Sequence, residues 1–177
     1  MKSRLTYGFL KLGIFLSIMF CTSWSVGQDF ADKNYYLVDS LNLETLSSQE
    51  IKIIDSLLSV YHNKKDTINK LEVFSVIAKS DIIGAQTQIK YGQFALKNIE
   101  KQLESNVSLK TEESLKLLKI KSSVLLGLGY AHALEGSYQR ALEVENESIH
   151  ISESIDFEIG IAKALNIMAF VYTKKMR

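Results

Sequence analysis

Glu147 and His150 lie three residues apart, a spacing that sets a carboxylate and an imidazole on one face of a helix. The same step supplies ligands to di-iron centres, where further carboxylates and a second Glu-x-x-His come from facing helices. The chain holds no second Glu-x-x-His, so the pair reads as a solvated helix face and no metal is expected. His132 and Glu135 repeat the spacing, but His132 falls at a packing position and reads as a core or groove histidine. Gly127-Leu128-Gly129 lies inside a helical pattern without the preceding strand that a phosphate-cradling loop needs. No motif joins a serine, a histidine and an aspartate into a nucleophilic set. The residues that could do chemistry therefore point to no catalysis and no cofactor, and the chain is expected not to be an enzyme.

Charge narrows the partners. The chain has 177 residues, 21 basic and 20 acidic, with a net charge of +1 when histidine is neutral. A nucleic-acid binder shows a clear basic excess, so nucleic acid is not an expected partner. Lys116, Lys119, Lys121 and the acids around them read as a solvated helix face. Hydrophobic residues at 46% and charged residues at 23% suit a folded domain. There is no proline, so one common obstacle to long helices is absent.

The first segment has the order of a secretory signal peptide. Lys2 and Arg4 give a positive start, Leu12 to Cys21 is apolar, and Ser25, Val26 and Gly27 supply small residues before Gln28. Residues 1–27 are thus expected to be removed near Gly27–Gln28, and the protein to be periplasmic or secreted. The apolar run falls short of the roughly 20 residues of a membrane span. The alternative is an uncleaved anchor with Lys11 snorkelling, the only case in which membrane contact is expected. Cys21, the sole cysteine, would be a lipid-attachment site in a lipoprotein, but the bulky Ile18-Met19-Phe20 before it fits poorly. Without it the mature chain has no thiol and forms no disulfide.

Residues 28–46 show no clear period and read as a linker or N-terminal arm. Ser47 and Glu50 form a capping box. A helix from about Ser48 to His62 then carries Ile51, Ile54, Leu57, Leu58 and Tyr61 on one face. A second covers about Thr67 to Ser80, with Leu71, Phe74, Ile77 and Ala78 inward. A third covers about Gly84 to Ser105, with Ile89, Gly92, Phe94, Leu96, Ile99 and Leu103 on its apolar side. After a polar connection at 106–110, Thr111, Glu112 and Glu113 open a long helix, the acids at its positive end. Gly136 ends it after Glu135. Ser137 opens a helix that lasts to about Ser154, and a last one runs from near Asp156 to the chain end. No strand-like alternation competes, so the fold class is all-α.

From Leu125 onward the chain resembles the tetratricopeptide repeat family. Leu125, Leu128 and Gly129 match the start of its pattern, Gly136 and Tyr138 its turn, and Ala141-Leu142 its second helix. GIAKALNIMAFVY resembles the opening helix of a further copy, with Met168, Ala169 and Tyr172 in the key places. Gly129 and Ala169 are equivalent, at a spacing of 169 − 129 = 40, against a usual period of about 34. Longer variants with a connection like Ile155 to Ala162 are familiar in bacterial members. His132, Glu145 and Ser148 depart from the pattern, where aromatic or small residues are usual. The resemblance implies antiparallel helix pairs stacked as a short right-handed solenoid. Gly129, Ala141 and Ala169 would be small where helices cross, with Tyr138 and Tyr172 filling the space beside them. Residues 47–110 would be a degenerate repeat region, Val76 standing where a small residue is expected, and 111–177 would be repeats, the last incomplete.

The family binds partners on the face formed by the opening helix of each pair. By register this groove comprises Ser123, Leu126, Tyr130, Ala133 and Leu134, then Lys163, Asn166, Phe170, Thr173 and Lys174. A protein or peptide partner is the expected ligand. In layout, the export signal and drifting repeats also resemble the periplasmic front end of repeat-containing sensor kinases and transcription regulators of Bacteroidetes-type bacteria. The alternative function is therefore the sensor segment of a truncated signalling protein. Ile167, Phe170 and Val171 are not all expected to be covered by the preceding pair, which predicts self-association through the last helix.

Overall fold

A computed structural model of the chain describes residues 32–39, 41–105 and 111–176. The whole of the expected signal segment, 1–27, and the 106–110 connection lie outside the described residues, as do residues 28–31, 40 and 177. The described residues are all-helical, with no β-strand among them. In chain order they form α1 (Lys33–Tyr36), a 3-10 turn (Leu43–Thr45), α2 (Ser48–Asn63), α3 (Thr67–Ile77), α4 (Ala85–Ser105), α5 (Thr111–Leu134), α6 (Tyr138–Ser154) and α7 (Glu158–Lys175). None of these helices is long and apolar enough to cross a membrane.

The local signals that set the helix ends are visible. Ser47 Oγ accepts from Glu50 N–H (3.2 Å), while Glu50 Oε2 accepts from Ser47 N–H (2.8 Å), so the capping box of α2 is complete. The other Glu50 oxygen accepts from Gly84 N–H (2.8 Å), tying the start of α2 to the turn before α4. These backbone donors, Ser47 first and then Gly84, hold the Glu50 carboxyl below its usual range. At the end of α5, Gly136 takes a left-handed φ of 76°. Ser137 N–H then reaches His132 O (2.8 Å) and Gly136 N–H reaches Ala133 O (3.2 Å), a Schellman closure that needs that backbone. The turn after α6 closes the same way around Asp156 at φ 51°, with Phe157 N–H on Ser152 O (2.8 Å).

Successive helices pack against each other, and α3 also packs on α5 and α5 on α7. Contacts fix the directions. Ser122 meets Ser152 (2.8 Å) and Gly129 meets Glu145, so α5 and α6 run antiparallel. Lys121 bonds Glu100 (3.2 Å) and Gly92 packs on Leu128, so α4 and α5 are antiparallel too. By contrast Lys119 lies over Phe157 and Tyr130 against Phe170, which makes α5 and α7 parallel. Lys116 reaches Asn69 and Gly127 abuts Ala78, which makes α3 and α5 parallel. The main core joins Ile54, Leu58, Phe74, Ile77, Tyr91, Ile99, Leu117 and Val124, while Ala133, Ala141, Leu142 and Val171 form a smaller one between α5, α6 and α7.

Several expectations need correction. Helix α3 stops at Ile77 rather than Ser80: its last turn tightens to Lys79 N–H on Val76 O and Ser80 N–H on Ile77 O, and the Gln88 amide of α4 donates to Ser80 O. On α4 the fully buried residues are Thr87, Gln88, Tyr91, Gly92, Ala95 and Ile99, and Ile89, Phe94, Leu96 and Leu103 pack half-buried against the same core, so Thr87, Gln88, Tyr91 and Ala95 join the expected face. The helix is rotated so that Gly92 admits Leu128 and Tyr91 stacks on Phe74. The described part of the 28–46 segment is no free linker. Val38 and Leu41 enter the core, Tyr36 OH donates to Asp55 (2.8 Å) and Tyr35 stacks on His62. On α7, Ala169 and Tyr172 are exposed on the side away from α6, while Gly160, Ala164 and Val171 are the buried residues of the helix. Val171 is fully buried, and Ile167 and Phe170 are half-buried. The large exposed apolar side chains are instead Ile159, Leu165 and Tyr172 of α7 and Met176 just past its end.

Candidate binding groove

The parallel run of α3, α5 and α7 leaves a cleft where they meet. It has a volume of about 320 Å³ and is lined by Lys79, Leu126, Gly127, Tyr130, Lys163, Asn166 and Ile167. Leu126 forms a buried floor, and the tight approach of Gly127 to the Ala78 backbone seats the end of α3 against α5. Tyr130 is braced from the side by Phe170, ring centroids 5.7 Å apart, and Lys174 lies over the Phe170 ring at 5.4 Å. Four of the ten sequence-predicted residues, Leu126, Tyr130, Lys163 and Asn166, therefore share one cavity.

The other six divide. Phe170 and Lys174 support the cleft from behind Tyr130. Ala133 is buried in the small core with Ala141 and Val171, so it is a packing residue rather than a lining one. Ser123 is half-buried and Leu134 exposed at the end of α5; neither lines the cleft. Thr173 spends its hydroxyl on Ala169 O (2.9 Å) within its own helix.

A second cleft of about 650 Å³ adjoins the first. Lys52, Ile53, Ser56, Leu57, Val76, Lys79 and Ser80 line it, so Lys79 stands at the junction of the two. The sequence reading did not include this half of the groove, because it placed Lys79 inside a longer α3 and assigned Lys52 no role. The one available signal was Val76, a large apolar residue where a small one was expected; it stands 50% exposed on the cleft wall. Burial of Lys79, and then the nearby Lys163 ammonium, lower its pKa below the usual lysine value against the opposing pull of Glu72.

The titratable groups that departed from the motif lie elsewhere. Glu145 is fully buried between α5 and α6, beside a seam in which Ser122 bonds both Ser148 (3.1 Å) and Ser152 (2.8 Å). Neither Glu145 oxygen has a hydrogen-bond partner, and burial pushes its pKa up to about 9. Burial, then Arg140, lower the His132 pKa, with Glu135 opposing. Glu147 turns to Lys121 (3.0 Å) while His150 faces solvent beside Glu153, so the two do not converge. Among the described residues no cluster of three or more His, Cys, Asp or Glu side chains is placed to hold a metal. The groove itself combines apolar floor, amide and ammonium groups: it can seat apolar side chains and donate hydrogen bonds. Comparison with family models, curated proteins and solved structures finds no match to this chain.

Proposed function

We propose that the chain is an exported protein–protein interaction module of the tetratricopeptide-repeat type, which holds a peptide segment of its partner in the groove across α3, α5 and α7. The observation that carries this reading is the convergence of Leu126, Tyr130, Lys163 and Asn166, chosen from the motif register, around one apolar cleft. The alternation of antiparallel and parallel packing supports it, as does the equal step from Tyr130 to Phe170 and from Gly129 to Ala169. Extended or helical peptides bind such grooves by seating a few side chains in pockets. The test is selection of random dodecamer peptides on the 177-residue chain. Enriched peptides should bind the wild type at least tenfold more tightly than Asn166→Trp, which fills the cleft from an exposed position. Peptides indifferent to Asn166→Trp would defeat the groove assignment.

A second reading, self-association through α7, is favoured by a separate observation. Ala162, Leu165, Ala169, Tyr172 and Met176 are all exposed and follow the 3–4 spacing of a coiled-coil seam. This stripe replaces the Ile167–Phe170–Val171 patch that the sequence pointed to.

A further inference from the structure

Resting on the groove reading, we infer that the partner segment is acidic and amphipathic: its apolar side chains fill the two adjoining clefts and its carboxylates face Lys52, Lys79 and Lys163. The argument is one of charge and lining. Every charged residue lining the two clefts is a lysine, and no aspartate or glutamate lines either of them. Some basic residues outside the clefts are paired with acids: Lys33 with Asp39, Lys121 with Glu100 and Glu147, and Arg140 with Glu143. The ammonium groups of Lys52, Lys79 and Lys163 make no hydrogen bond or ion pair among the described residues.

The chain as a whole is nearly neutral, at 21 basic and 20 acidic residues, so a groove lined by one sign of charge is a local segregation. Burial and then the nearby Lys163 ammonium disfavour the charge on Lys79, with Glu72 opposing, and a bound carboxylate would relieve that cost. Lysine presents a mobile point charge on a flexible stem, which suits side-chain carboxylates at several spacings rather than one fixed geometry. The lining between the charges is apolar: Ile53, Leu57 and Val76 in one cleft, Leu126, Tyr130 and Ile167 in the other. A nucleic-acid backbone would leave those surfaces unfilled, whereas a peptide with alternating acidic and apolar residues satisfies both. Electrostatic complementarity of this kind sets partner choice and association rate.

The test uses the same dodecamer selection, run on the wild type and on a Lys52→Glu/Lys79→Glu/Lys163→Glu variant. Wild-type winners should be rich in Asp and Glu interleaved with apolar residues. Their affinity, read by fluorescence anisotropy, should fall by about tenfold or more on the reversed variant, and should weaken as salt rises. Thermal melts check that the variant folds; if it melts early, Lys79→Gln and Lys163→Gln replace it, with a smaller loss expected. Neutral or basic winners that Asn166→Trp still blocks would overturn the charge inference and leave the groove standing. Winners that ignore Asn166→Trp, or no winners at all, would overturn both. A twelve-nucleotide oligo-dT that binds as tightly as the acidic peptides would overturn the inference in favour of a phosphate polymer.

Discussion

The side chain of Glu145 occupies the space that any side chain at Gly129 would need. A Cβ placed on Gly129 would lie 2.7 Å from Glu145 Cδ and 2.9 Å from its Cγ, closer than atoms can approach. Glu145 is fully buried. The two positions are therefore one packing unit shared by α5 and α6.

That relationship predicts non-additivity. Gly129→Ala should destabilise by about 1–3 kcal/mol through overpacking, even though alanine gains about 1 kcal/mol in helix propensity. In a Glu145→Ala background the same change should be neutral or stabilising. Denaturant unfolding of the two single variants and the double variant closes the cycle. Additive effects would show that the crossing can rearrange around the new methyl group.

Glu145 also predicts a pH dependence of definite sign. Its pKa is raised from 4.5 in the free side chain to about 9 in the fold. Between those values the native chain keeps a proton that the unfolded chain has released, so stability falls as pH rises. By pH 7 this costs roughly 3 kcal/mol relative to acid conditions. Glu50, with its lowered pKa, acts in the opposite direction at low pH, so the informative quantity is a difference. The stability of Glu145→Gln relative to wild type should grow steadily from about pH 5 to about pH 9, followed by urea unfolding. A constant difference would mean that the carboxylate is charged in the fold.

Lys121 should matter more than its neighbours on α5. It is only 15% exposed and joins Glu100 of α4 to Glu147 of α6. Burial disfavours its ammonium, but Glu147 and Glu100 outweigh that and hold its pKa above the usual value. Lys121→Met should lower stability by about 1–2 kcal/mol, whereas exposed Lys116→Ala should change it by less than about 0.5 kcal/mol. Equal melting temperatures for the two variants would contradict the bridging role.

The outer stripe of α7 separates two outcomes by two variants. Leu165→Glu should make the chain more monomeric in light scattering while leaving the melting temperature of the monomer nearly unchanged. Phe170→Glu should lower the melting temperature instead, since Phe170 packs on Tyr130. A wild-type chain that stays monomeric at high concentration would rule out association through α7.

The pattern of apolar spacing and end signals made much of this fold legible. Ser47 and Glu50 gave the start of α2 to the residue, and Gly136 marked the end of α5. The helix register of α5 and α7 carries Leu126, Tyr130, Lys163 and Asn166 to one cleft, which the spacing in the sequence makes visible. What was hidden depended on rotation and contact between distant segments. Ala169 looks like Ala141 in sequence, yet one faces solvent and the other lies in a crossing. Val38 and Leu41 sit in a segment without period, so nothing local announces that they are buried. Lys79 lies past the end of α3, beside Ser80, which accepts a hydrogen bond from Gln88 of the next helix, and that long-range contact has no local signal. Glu145 stood out as a departure from the repeat pattern, but a buried unpaired carboxyl is a property of its surroundings.

The packing of each helix on partners one or two steps along the chain has a kinetic consequence. Most loops that must close before contacts form are short, so the search for the native arrangement is largely local, a topology that folds in microseconds to milliseconds. The chain has no proline, which removes the isomerisation step that delays many refolding reactions by tens of seconds. Stopped-flow refolding should therefore proceed without a slow phase of that kind. Opening should be graded along the chain rather than uniform: amides of α7, which has neighbours on fewer sides, should exchange with deuterium before those of α5.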